Sequence, residues 1–146
     1  MLTSENKDLL ISSMEPDKDV LLKEWQEALL MQDWRITIED MCSLDEMVDT
    51  TGDVTFTECH KSAHIRIIDP KFYGNRVIPF DYEKTLVHEL LHLKLSLVQN
   101  DVSPLQERVV HQIIDELARS FVALKRKQSP INMGIEKQPE TTVVLD

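Results

Sequence analysis

From Lys84 to Val98 the chain runs without Gly or Pro, and inside this stretch stands His88-Glu89-Leu90-Leu91-His92, an H-E-x-x-H motif. A long apolar run free of breakers, with Asp81 placed to cap it, predicts a helix from Asp81 to about Val98. On a helix, positions i and i+4 share one face a turn apart, so the two imidazoles can meet one metal ion. Glu89 follows the first His, where its carboxylate can take a proton from water activated at such an ion. At 100° per residue, with His88 at 0°, His92 falls at about 40°, whereas Leu86, Val87, Leu90, Leu91, Leu93, Leu97 and Val98 spread over about 140–300°. The helix is therefore expected to be buried over most of its surface. The histidines share the remaining sector, with Thr85, Ser96 and Glu89 at its edge. Two satisfied histidines beside a core are the plain alternative, but an i, i+4 pair with Glu89 between them favours a metal. Zn²⁺ is the default for two imidazoles and one further ligand.

A catalytic zinc takes three protein ligands and keeps a position for water. The third is expected from the next helix. Ser103 can cap that helix with Pro104 at its first position and Gln106 completing a capping box, and it should extend to about Lys127. With Glu107 at 0°, Val110, Ile114, Leu117 and Phe121 lie at about 280–340° and define the expected buried face. Glu107 and His111 border it, Asp115 lies further round, and Glu116 points away. An acidic residue in a first turn also serves the helix dipole. Glu107 is the preferred third metal ligand, with His111 supporting the site or lining the cleft; the reverse assignment, His111 as ligand, stays open.

The extended pattern H-E-x-x-H-x-x-G-x-x-H is absent, because Leu95 and Val98 occupy its Gly and last His positions. His88-Glu89-Leu90-Leu91-His92, followed fifteen positions after His92 by Glu107, resembles a gluzincin, the zincin branch with a Glu third ligand. The small size is similar to that of minimal gluzincins and the ImmA/IrrE-like peptidases. This resemblance covers about residues 34–126. It implies a zincin-like α+β domain with a short sheet, a helix carrying the motif and a ligand-donating helix. It also implies zinc-dependent hydrolysis of peptide bonds with Glu89 as general base. In zincins the strand before the motif helix commonly rims the cleft and pairs with an extended peptide. By that analogy Ala63, His64 and Ile65 are the substrate-binding candidates. His60 is a weaker candidate, and Tyr73 and Tyr82 are possible oxyanion donors.

The rest of the chain fits an α+β domain. A first helix is expected from about Asp17 to Gln32, with Val20, Leu21, Trp25, Ala28, Leu29 and Leu30 as its apolar stripe. Alternating segments at Trp34–Ile38, Val54–Thr57 and Ala63–Ile68 predict a short mixed sheet of three or four strands, with Thr51-Gly52-Asp53 as a turn. Residues 1–127 form one expected domain, and 128–146 a flexible tail. The net charge of −10 argues against nucleic acid or anionic lipid as a partner and leaves a peptide or protein substrate. No h-region opens the chain, no segment has the length of a membrane span, and Cys42 and Cys59 form no C-x-x-C pair, so a cytoplasmic protein is the simplest expectation. The competing expectation is a zinc-binding regulatory protein on the same fold without hydrolysis. Glu89 argues against it, since binding alone has no need of that carboxylate.

Overall fold

The computed structural model describes residues 17–41, 51–73, 79–99 and 101–128. Cys42 and all but the first residue of the expected tail lie outside them. The chain divides into two compact units, Met1–Gln32 and Asp33–Asp146.

In the first unit, helix α1 (Lys18–Ala28) is capped by Asp17, whose side chain accepts from Asp19 N–H. Leu21, Leu22 and Trp25 are buried, one stripe at helical spacing. Val20 and Leu30, expected in that stripe, are exposed. Leu30 adopts φ 57°, which ends the helix and turns its side chain out.

The second unit is α+β. Strands β1 (Arg35–Met41), β2 (Gly52–Thr57) and β3 (Ser62–Ile68) form a mixed sheet in the order β1-β3-β2. β1 runs parallel to β3, and β2 antiparallel to it. Ala63, Ile65 and Ile67 alternate onto the buried face of β3, while His64 and Arg66 take the other. Helix α2 (Tyr82–Lys94) packs on β2, β3 and helix α3 (Pro104–Arg126). Single helical turns occupy Pro70–Tyr73 and Ser96–Gln99. The core joins Ile65, Ile67 and Ile68 of the sheet to Leu86, Leu90 and Leu93 of α2 and Ile114 and Val122 of α3, none more than 1% exposed.

Three local expectations change. The motif helix breaks at Leu95 instead of running straight to Val98, and Val98 is 63% exposed beyond the break. The buried face of α3 is built on Ile114, Ala118, Val122 and Ala123, while Leu117 lies at its exposed side. Small Ala118 and Ala123 allow close approach of the neighbouring elements, a signal that a search for large apolar residues passes over. Thr51-Gly52-Asp53 is not a turn: β2 begins at Gly52, paired with Ile67.

The capping residues behave as the sequence predicts. Ser103 and Gln106 close a capping box on α3, and Asp81 caps α2 through Lys84 N–H. Asp81 has a second task. Its carboxylate accepts two hydrogen bonds from Arg126, at 2.7 and 2.9 Å, and the nearly buried Glu83 accepts from both Lys125 and Arg126. The start of α2 is thus clamped to the end of α3. Burial opposes ionisation of Asp81, but the hydrogen bonds from Arg126 and the Lys84 N–H outweigh it and hold the carboxyl below its usual range. Such a group stabilises the folded chain fully above about pH 5, and the contribution is lost as pH falls below about 4 toward the carboxyl's lowered value. Arg126→Ala should remove about 2 kcal/mol of stability at pH 7 in urea titrations, because two sheltered carboxylates lose a shared partner. The difference from the parent should shrink in acid.

Candidate metal centre

The i, i+4 spacing on α2 does what helix geometry dictates. His88 Nε2 and His92 Nε2 stand 3.1 Å apart. The third ring comes from α3: His111 lies 4.8 Å from His88 and 5.4 Å from His92 between ring centroids. Among the described residues, His88, His92 and His111 make one group whose potential ligand atoms all lie within 4.8 Å of one another. Two nitrogens bound to one tetrahedral ion at about 2.0–2.1 Å are roughly 3.3 Å apart, so the His88–His92 pair already has about that separation. Three imidazoles suit Zn²⁺ and also copper, iron or nickel, so the donor set fits a metal without selecting zinc alone.

Glu107 lines the same cleft one turn before His111 but lies outside this group. The structure groups His111, the alternative third ligand, with the histidine pair and leaves Glu107, the preferred one, outside that group. On α3 the two side chains differ by one turn, and the packing of α2 against α3 decides which turn faces His88. Helical angles taken on α3 alone cannot settle that.

Asp115, one further turn along α3, is the site residue that the sequence reading passed over. Its Oδ1 lies 3.5 Å from His88 Nδ1, on the side of the ring away from His92. Lys84 and Arg119 also reach it, at 3.4 and 3.0 Å. The His88 bond, with these two cations, holds Asp115 well below the usual carboxylate range despite its partial burial. A carboxylate on Nδ1 fixes the ring and its tautomer and leaves Nε2 as the ligand atom. The available signal was the four-residue repeat Glu107, His111, Asp115. Burial and the neighbouring charge of His88 push His111 below its usual value, against the pull of Asp115 and Glu107. That favours the neutral, ligating ring.

Glu89 is 6% exposed and lines the same cleft. Burial pushes it up to about 7, with the charge of His88 opposing and Asp53 reinforcing. The cleft encloses about 600 Å³ between α2, α3 and strand β2, which contributes Gly52, Asp53, Val54 and Phe56. Gly52 lets strand and helix come together. A Cβ there would stand 2.8 Å from Thr85 Cγ2 and 3.3 Å from Glu89 Oε1. Thr85 cannot easily yield, since its hydroxyl donates to Asp81 O at 2.9 Å. Gly52→Ala should therefore destabilise the protein by about 1–3 kcal/mol, read as a lower urea midpoint at unchanged slope.

The candidates on β3 fall elsewhere. β3 is the central strand, paired on both sides, so Ala63, His64 and Ile65 offer no free edge to a substrate. Ala63 and Ile65 are buried in the core. His64 sits on the opposite sheet face, with Nδ1 2.8 Å from Thr37 Oγ1 and Nε2 2.8 Å from Glu39 Oε2. The strand lining the cleft is β2, because the chain places its third strand between the first two. His60, Tyr73 and Tyr82 do not line the cleft. No helix among the described residues is long and apolar enough to cross a membrane. No protein-family model, curated protein or solved structure matches this chain.

Proposed function

We propose that this protein is a zinc-dependent metallopeptidase. The observation that carries the reading is the convergence of His88, His92 and His111 in one cleft with a buried carboxylate, Glu89, beside them. The three imidazoles would hold Zn²⁺, and Asp115 would orient His88. Zn²⁺ held there supplies a Lewis acid that polarises a carbonyl and lowers the pKa of water. Glu89 takes a proton from the attacking water and returns it to the leaving amine. Strand β2, an edge strand among the described residues, would pair with an extended peptide. A zincin-like fold and a peptide or protein substrate belong to the same proposal.

A quenched-fluorescence peptide library tests it. Hydrolysis should appear with the zinc-loaded protein, vanish with a chelator and return on adding zinc. Stoichiometric zinc with no cleavage across the library would assign the site to binding instead of catalysis.

A further inference from the structure

The charged groups around the cleft are not equivalent. Asp53 is held by Arg66 of the neighbouring strand through two hydrogen bonds. Asp115 is shared by His88, Lys84 and Arg119, which also occupies Lys84, a cation of the cleft wall. Glu89 is buried at the base of the motif. Glu107 differs from all of these. It is exposed, it lines the cleft one turn before His111, and no ion pair ties it down among the described residues. Its helix does not depend on it for capping, since Ser103 and Gln106 already satisfy the first turn. With three imidazoles grouped without it, Glu107 is a carboxylate lining the cleft that no Lys or Arg pairs with among the described residues.

The opposite wall complements it. Val54 and Phe56 of β2 present apolar surface to the same cleft, and Phe56 is 39% exposed. Apolar surface and a carboxylate free of Lys or Arg in one cleft suit a side chain with a methylene stem and a cationic head. The net charge of −10 adds a field that draws cations toward the protein. We infer that the cleft selects peptides carrying Lys or Arg beside the bond to be cut, with Glu107 as the specificity-determining residue. This rests on the peptidase reading for the bond cut, but not for the charge that is recognised.

The test separates the two. Zinc-loaded Glu89→Gln protein, in which turnover is blocked, is titrated by fluorescence anisotropy with one labelled host peptide. That peptide carries Lys, Arg, Gln or Glu at a single position. The Lys and Arg forms should bind about five-fold tighter than the Gln form at low salt, a preference that shrinks as salt rises. Adding Glu107→Gln should bring the Lys-to-Gln ratio close to unity, and Glu107→Lys should invert it in favour of the Glu peptide. A ratio unchanged by Glu107→Gln overturns the inference. Equal weakening of every peptide together with loss of zinc also overturns it, since Glu107 would then be a metal ligand. If charge selection holds but the wild-type protein cuts none of these peptides, the peptidase reading fails and the cation-selective cleft stands.

Discussion

Replacing Glu89 with Gln should lower kcat by about a thousand-fold or more for any peptide the protein hydrolyses, with bound zinc unchanged. The amide keeps the shape and the packing of a side chain that is only 6% exposed. It cannot accept a proton from water. Burial is the reason the native carboxyl matters: it pushes Glu89 up to about 7, so the group sits near the proton affinity a shuttle needs at neutral pH. A cation held by the adjacent imidazoles pulls that value down, so the wild-type rate should decline on the acid side of about 7, where the protonated carboxyl cannot act. The measurements are kcat from progress curves and zinc per chain by elemental analysis on the same preparation. A variant that keeps zinc and hydrolyses at the wild-type rate would remove Glu89 from the chemistry. A variant that loses zinc would show that the carboxylate supports the metal instead.

The sequence reveals local chemistry well and mutual placement poorly. The caps Asp81 and Ser103 follow from one side chain and its next few neighbours, and both stand where the residues predict. His88, Glu89 and His92 are likewise set by the period of one helix. The sequence leaves questions open where two elements must be aligned. Whether Glu107 or His111 meets the pair depends on how far α3 slides along α2. The buried contacts of Ala118 and Ala123, with the Arg126 clamp on Asp81 and Glu83, belong to that alignment. The strand at the cleft was misplaced for a similar reason. The alternation of β3 marks a strand with one buried face, but strand order is not contained in alternation. Gly52 carried a usable signal, since a Gly at a strand position points to close backbone approach as readily as to a turn. Asp115 was visible as the next member of a four-residue repeat, but its role needs the His88 ring from the other helix.

Removing the imidazole of His111 should weaken zinc binding by at least about a hundred-fold, whereas Glu107→Gln should leave zinc affinity within a few-fold of the parent. The two substitutions sit one turn apart on the same helix and compare directly the two candidates for the third ligand. His111 shares with His88 and His92 a group of ligand atoms no more than 4.8 Å apart, and Glu107 is outside it. Fold damage is a small concern at either site, because both side chains are exposed and neither belongs to the core or to the Asp81–Arg126 clamp. Competition with a chromophoric chelator gives the affinities, and circular dichroism checks that the helices remain. Asp115→Asn provides a graded control. It keeps the three imidazoles but loses the charge on His88 Nδ1, so its zinc affinity should fall between the two, by about ten-fold. The reverse order, with Glu107→Gln losing zinc and His111→Ala keeping it, would restore Glu107 as the ligand. It would also require α3 to shift by about one turn along α2 from its position in this structure.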